Sequence, residues 1–303
     1  MFWHKKKKLV THNGGFHSDD IFACATLQIY LDKIGEDYEV VRTRDEREIK
    51  EADFVFDVGG VYDTKTNRFD HHQKDGAGFR ANSLPFAAFG LVWKEYGEKI
   101  CGNKEIAEEI DRKFAQPIDA NDNGLDVYTS KLENTSPVTF QDIVGVYYPD
   151  EDAGEEEYYR AFTDLTLLAK RILQKSILKT KKQFEINIYL QNLYNQTEDK
   201  RFLVVEKKYG RFALTMGALN FPEVLYIVYP SKRENSEWNI VATRKNAESM
   251  ESQKPFPEDW AGLMDEELQK ITGVLSAKFC HNGRFLCVAE NKQDAIELAK
   301  LSI

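Results

Sequence analysis

Short apolar runs, each ending in an acid, a histidine or paired glycines, mark the first half of the chain. Leu9-Val10-Thr11-His12 reads as a buried strand, Tyr38-Glu39-Val40-Val41 as a second, and Phe54-Val55-Phe56, apolar throughout, as a central parallel strand. Asn13-Gly14-Gly15 turns the chain after the first. Ser18 then reads as an N-cap, Asp19 and Asp20 fall where acids suit the helix dipole, and Ile21, Ala25, Leu27, Ile29 and Leu31 carry a helix to Gly35. Residues 45–51 have helical character, and Arg68-Phe69 makes a third strand end. Asn82-Ser83-Leu84-Pro85 is expected to start a helix running through Phe86, Phe89, Leu91, Val92 and Trp93; another covers about 104–115, and 118–124 reads as a turn rich in oxygen ligands.

Beyond that point the pattern changes. Residues 135–154 read as a connector, and 155–196 as one long or twice-broken helix with alternating charge. Strand-like runs come next at Phe202-Leu203-Val204-Val205, Phe212-Ala213-Leu214, 224–229 and 238–242, with helices near 259–271 and 292–301. The expected class is α/β: a parallel-sheet N-terminal domain over 1–130, a helical connector over 131–198, and a smaller α+β C-terminal domain over 199–303.

The chain has 303 residues, 42% of them hydrophobic, enough for more than one core, and a net charge of -9. Such a balance argues against wrapping long duplex DNA but not against drawing a short phosphorylated substrate into a metal-charged pocket. Cys24, Cys101, Cys280 and Cys287 form no CxxC pair, which suits a reducing cytoplasm. The basic run His4-Lys5-Lys6-Lys7-Lys8 reads as a solvated end rather than a signal peptide, and no apolar stretch is long enough to span a bilayer.

Chemistry gathers at the strand ends. His12, His17, Asp19 and Asp20 follow the first strand, Asp57-Val58-Gly59-Gly60 the central one, Asp70-His71-His72 the third, and Asp119 and Asp122 come later. Open α/β sheets bind ligands along this carboxyl edge. Asp57 alone would be a turn residue and His71-His72 alone a surface pair. Together they form a nitrogen and oxygen donor set without thiolate, suited to manganese, magnesium or a similar ion. Asp57, centrally placed, is the candidate to bridge two ions about 3.5–4 Å apart.

The succession 11–20, Asp57-Val58-Gly59-Gly60, Phe69-Asp70-His71-His72-Gln73 and 119–124 resembles the melanocyte proliferating gene family, a branch of the DHH phosphoesterase superfamily. The resemblance extends through Arg42-Thr43-Arg44 and Trp260-Ala261-Gly262-Leu263 to the last helix. It implies a DHH-type domain holding two divalent ions, joined to a smaller substrate-gripping domain, and hydrolysis of phosphodiester or phosphoanhydride bonds. A eukaryotic relative acts as a 3′ to 5′ RNA exonuclease. The first motif departs from the superfamily's usual one, because His17 stands where a carboxylate is expected and the loop is longer.

On this resemblance His12, His17, Asp19, Asp57, His71 and Asp119 are the expected metal ligands, with Asp122 competing for the place of Asp119. Manganese is favoured over magnesium. His72 is expected at the scissile phosphate or the attacking water, and Asp70 behind an imidazole; Asp20 reads as a helix-start acid. His281, Asn282, Gly283 and Arg284 resemble the substrate loop of the superfamily's C-terminal domain, with a polar hairpin turn as the competing reading. Arg80, Arg244 and Lys245 are further phosphate candidates, each competing with plain surface charge. Three functions remain open: an exonuclease or oligonucleotidase on short single-stranded RNA or DNA, a small-nucleotide phosphatase or pyrophosphatase, and a metal-binding regulatory protein without turnover. The oligomeric state is open, a homodimer included.

Overall fold

The structure is a computed structural model describing residues 5–232 and 237–303. His4, the start of the expected basic run, lies outside the described residues. The chain divides into two units, Met1–Lys181 and Lys182–Ile303. The division falls inside one unbroken 42-residue helix, α7 below.

Unit 1 opens with β1 (Lys7–Thr11), α1 (Ser18–Ile34), β2 (Tyr38–Arg42), α2 (Glu46–Glu51), β3 (Phe54–Phe56), β4 (Tyr62–Asp63) and β5 (Arg68–Phe69). The sheet order is β2-β1-β3-β5-β4. The first four strands in that order run parallel, and β4 is an antiparallel edge. Leu9, Val10, Val55, Phe56 and Phe69 are buried, as a parallel sheet covered by helices requires. From β1 the chain moves to β2 on one side, then crosses back to β3 on the other. The switch point of the sheet therefore lies between β1 and β3. Val10 pairs with Val55 and Phe56 with Phe69, so His12, Asp57 and Asp70 leave neighbouring strands in nearly one row.

Three local expectations need correction. His17, not Ser18, is the N-cap of α1, its N–H donating to Asp20 Oδ1 at 3.0 Å. The helix expected from residue 82 is α3 (Ala88–Cys101). Ahead of it Ser83 takes φ +64° and Phe79 bridges Pro85, so 82–84 is a tight turn. The turn expected at 118–124 is helical: α4 (Lys104–Ile110) passes through a π turn (Asp111–Ala115) into α5 (Gln116–Asp122). Pro117 follows directly on the π turn inside this continuous helical path. The expected connector contains α6 (Phe140–Tyr147), followed by α7 (Glu155–Gln196).

Unit 2 carries β6 (Phe202–Val204), α8 (Arg211–Gly217), β7 (Tyr226–Pro230), β8 (Trp238–Ala242), α9 (Asp265–Thr272), β9 (Ala277–Cys280), β10 (Leu286–Ala289) and α10 (Lys292–Leu301). Its sheet, ordered β6-β7-β8-β10-β9, is antiparallel except for the β6–β7 pair. Tyr226, Val228 and Ile240 pack on one face with Leu298, while Ile227, Tyr229 and Val241 pack on the other with Ile186, Leu190 and Leu214. Phe212-Ala213-Leu214, expected as a strand, is helical. Three apolar residues carry no period of their own, and Leu214 joins the α7 side of that core. Among the described residues no helix is long and apolar enough to cross a membrane.

Candidate metal centre

Three of the parallel strands, β1, β3 and β5, each deliver a group to the switch point. His12 leaves β1 and is almost fully buried, its Nε2 3.1 Å from Asp57 Oδ2 and 3.4 Å from Asp20 Oδ2. Asp57 leaves β3 at φ +57°, a left-handed conformation that a non-glycine residue holds at a cost of about 1–2 kcal/mol. Strain of this kind persists where the surroundings over-determine the residue. After β5, His71 places Nε2 3.3 Å from Asp57 Oδ1 and 3.2 Å from Asp122 Oδ2. The start of α1 adds His17, whose Nδ1 is 3.9 Å from Asp122 Oδ1, and Asp19, whose Oδ2 is 3.9 Å from His71 Nε2.

Three sets of donor atoms lie within 4.8 Å of one another: His12, His17 and Asp57; Asp57, His71 and His72; and His17, Asp19 and Asp122. Asp57 and His17 each belong to two sets. A carboxylate so placed has the geometry a bridging ligand needs. Asp19 Oδ1, Asp20 Oδ2 and Asp57 Oδ1 are buried without a hydrogen-bond partner. Buried acceptors of this kind are costly unless a cation or proton satisfies them. Oxygen and imidazole donors without sulfur fit a divalent ion.

The electrostatics agree with this demand. Burial, reinforced by Asp57 and Asp122, holds Asp19 well above the usual carboxylate range. Burial also pushes Asp20 up to about 7, against the pull of His12. Asp57 is equally buried, yet the His12 hydrogen bond and the nearby His71 imidazole bring it down to about 2. Burial opposes charge on His12 and His71, but Asp57 raises both. His72 is raised to about 9, first by its hydrogen bond to Asp70. Asp70 accepts from His72 Nδ1 at 2.7 Å, from the His72 N–H at 3.1 Å and from the Gly60 N–H at 2.5 Å.

Two expected site residues are committed elsewhere. Asp119, the expected ligand, is fully buried in α5, with Oδ2 2.7 Å from Arg80 Nη1 and Oδ1 accepting the Gly90 N–H at 3.0 Å. Its neighbour one turn later, Asp122, is the one that faces the histidines. Arg80, expected as a phosphate grip, is buried between Asp111 and Asp119 and lies over the Phe86 ring. The helical continuation through 122 separates the two acids, since positions three apart are offset by about 60° around a helix axis, and the Gly90 N–H together with Arg80 holds Asp119 against the start of α3 rather than at the sheet edge.

The remaining candidates belong to unit 2. His281, Asn282, Gly283 and Arg284 form the turn between β9 and β10, where the Gly283 N–H donates to His281 Nδ1 at 2.9 Å and Arg284 takes φ +55°. Arg244 lies 5.1 Å over the Phe212 ring, and Lys245 pairs with Glu251 at 2.8 Å.

Arg44 and Arg42 were not among the expected site residues. A cavity of about 370 Å³ beside the histidines is lined by Arg44 together with His12, His17, Asp57, Asp70 and His72. Arg44 Nη1 donates to Asn13 O and to Asn13 Oδ1, the latter at 3.0 Å. Arg42 Nη2 donates to Gly14 O at 2.7 Å, and its guanidinium sits 5.2 Å and 4.8 Å from the Phe16 and Phe162 ring centres, fixing the loop after His12. Their position at and just past the end of β2, next to β1, was the available signal. Asp20 is a helix-start acid as expected, but its second oxygen also meets His12.

The family model MYG1_exonuc, described as "Uncharacterised protein family (UPF0160)", matches residues 8–303. The chain is 29% identical to "MYG1 protein" of Chlamydia muridarum (strain MoPn / Nigg), over 96% of this chain and 94% of the relative. It is 25% identical to "MYG1 exonuclease" of Homo sapiens, over 98% of this chain and 85% of the relative. A solved structure of RecJ in complex with Mn2+ from Thermus thermophilus aligns at TM-score 0.29 and 11% identity, over 98% of this chain and 52% of that one.

Proposed function

The chain belongs to the MYG1 family (UPF0160), and on that premise we propose that it is a divalent-metal-dependent phosphodiester hydrolase, an exonuclease acting on short single-stranded RNA or DNA. The observation that carries the reading is the meeting of His12, Asp57, His71 and Asp122 at the sheet's switch point, with buried carboxylate oxygens left unpaired. Relatives named exonucleases support the same reaction class.

His12, His17, Asp19, Asp57, His71 and Asp122 would hold two ions, Asp57 serving both; manganese suits the imidazole-rich set better than magnesium. Such ions supply charge neutralisation at the phosphoryl group and a water made acidic enough to attack near neutral pH. His72, its Nδ1 fixed by Asp70, keeps Nε2 for proton exchange with the substrate. Arg44 holds Nη1 on Asn13 and presents the rest of its guanidinium to a phosphate oxygen. The negative net charge favours short substrates, since the grip is local. We read 1–130 as a DHH-type catalytic domain, 131–198 as its connector and 199–303 as the substrate-gripping domain, with Arg244 and the 281–284 turn as its contacts.

The test offers a labelled RNA pentamer, the matching DNA and pyrophosphate, each with manganese, magnesium or EDTA. Stepwise shortening from one end is expected with manganese and is abolished by EDTA. His71→Ala should lower the rate by more than about 100-fold, since even partners behind a metal ligand cost about 10–100-fold. Phosphate release from pyrophosphate alone would establish the phosphatase reading instead, and manganese binding without any turnover the regulatory one.

A further inference from the structure

A second cavity of about 370 Å³ opens in unit 1 beside the metal centre but shares none of its ligands. Ser18, in its lining, lies between His17 and Asp19 in sequence; Asn121, also in the lining, precedes Asp122. His17 Nδ1 and Asp122 Oδ1 are 3.9 Å apart, so the immediate sequence neighbours of these two lining residues meet at the metal centre. Phe22, one turn along α1 from Ser18 and also in the lining, faces Phe140 edge-on at 4.8 Å and Phe114 at 6.5 Å.

Two features of the backbone serve this cavity. The π turn Asp111–Ala115 carries Phe114 into the wall, and π turns inside helices occur often at functional sites. Between α5 and α6 the chain lacks regular structure for 17 residues, 123–139, and it supplies Leu125, Val127 and Tyr128, all exposed apolar side chains. Loops longer than about 12–15 residues without secondary structure are usually functional.

We propose that this cavity is a nucleobase subsite, receiving the base of the nucleotide whose phosphate lies at the metal centre. This rests on the hydrolase reading above. The size falls within the range of small-ligand pockets, and aromatic walls accept any base by stacking. Amide groups wait at its edge. Gln141 Oε1 accepts the Ser18 N–H at 2.9 Å, and among the described residues neither its amide N–H groups nor the Asn121 side chain makes a further hydrogen bond. Asn and Gln side chains are matched to the hydrogen-bonding edges of bases. A peptide or lipid occupant would need no link to the metal-ligating pair.

The full chain is titrated calorimetrically with adenosine 5′-monophosphate and with ribose 5-phosphate, each in manganese and in EDTA. The base-containing ligand should bind about tenfold more tightly, and stacking accounts for a difference of that order. Tyr128→Ala, which trims an exposed wall residue, and Ser136→Trp, which fills the cavity from an exposed position, should erase that difference while manganese affinity stays unchanged. Equal binding of the two ligands, or a difference that survives both substitutions, overturns the subsite. A base preference in a protein that binds no manganese supports the subsite and removes the hydrolase reading; manganese binding without base preference does the reverse.

Discussion

His72 is mostly exposed, yet its Nδ1 lies 2.7 Å from a buried carboxylate, and the pair sets a pH window. His72 titrates near 9 rather than near its ordinary 6.5. Its contribution to stability is therefore fully present below 6.5 and is lost as pH rises through about 9. Asp70→Asn should weaken the metal-free protein more at about pH 6 than above about pH 9.5, where only the backbone N–H bonds to the carboxylate remain at stake, read by urea melts in EDTA. In the loaded enzyme the same change should move the alkaline limb of the pH–rate profile downward. Arg80 makes a complementary prediction. Asp119 is pushed up to about 7 by burial even with Arg80 beside it, so its favourable contribution is complete below the ordinary 3.8 and declines as pH rises through about 7. Arg80→Met leaves that carboxylate without its cation. The loss should reach about 3–5 kcal/mol near pH 8 and shrink toward pH 5, where the acid can protonate. A loss independent of pH would mean that Arg80 matters only for packing.

Two helical glycines show how an element's surroundings reverse the sign of one substitution. A Cβ on Gly90 of α3 would land on Asp119 Oδ2 and Arg80 Nη2. Gly90→Ala must displace that ion pair and should destabilise by about 3–5 kcal/mol in denaturant melts. Gly145 in α6 has nothing within 4 Å of the same position. Gly145→Ala should stabilise by about 0.5–1 kcal/mol through the unfolded chain alone. At this scale β1, β2, β3, α1, α7 and α10 were legible, because apolar runs, caps and an αL glycine at Gly35 are local signals. The helical path through 118–122 was not. The proline before it and the asparagines at its end favour a turn locally, and only packing of Ile118 and Asp119 against neighbouring helices selects the helix. Phe212-Ala213-Leu214 misled for a similar reason, since burial against α7 decided its conformation.

Each unit of the molecule has its own sheet and its own buried core, so a cation at the switch point should stabilise them unequally. Manganese at about 100 times its dissociation constant should slow amide exchange in β1 and α1 by up to about 2.7 kcal/mol, with much less change in β7 and β8. Leu298→Ala, fully buried in α10, should produce the opposite pattern, at a cost of about 2–5 kcal/mol in unit 2. The order of residues along the chain determined which side chains stand at strand ends: His12, Asp57 and Asp70 come directly after short apolar runs, and strands that pair in parallel bring the residues at their carboxyl ends to one edge. Tertiary structure alone placed Asp122 rather than Asp119 beside His71, turned Arg80 inward and set Arg44 on the wall of the cavity. Those outcomes depend on which partner reaches a carboxylate first when helices pack, a competition between groups far apart in sequence that no local pattern records.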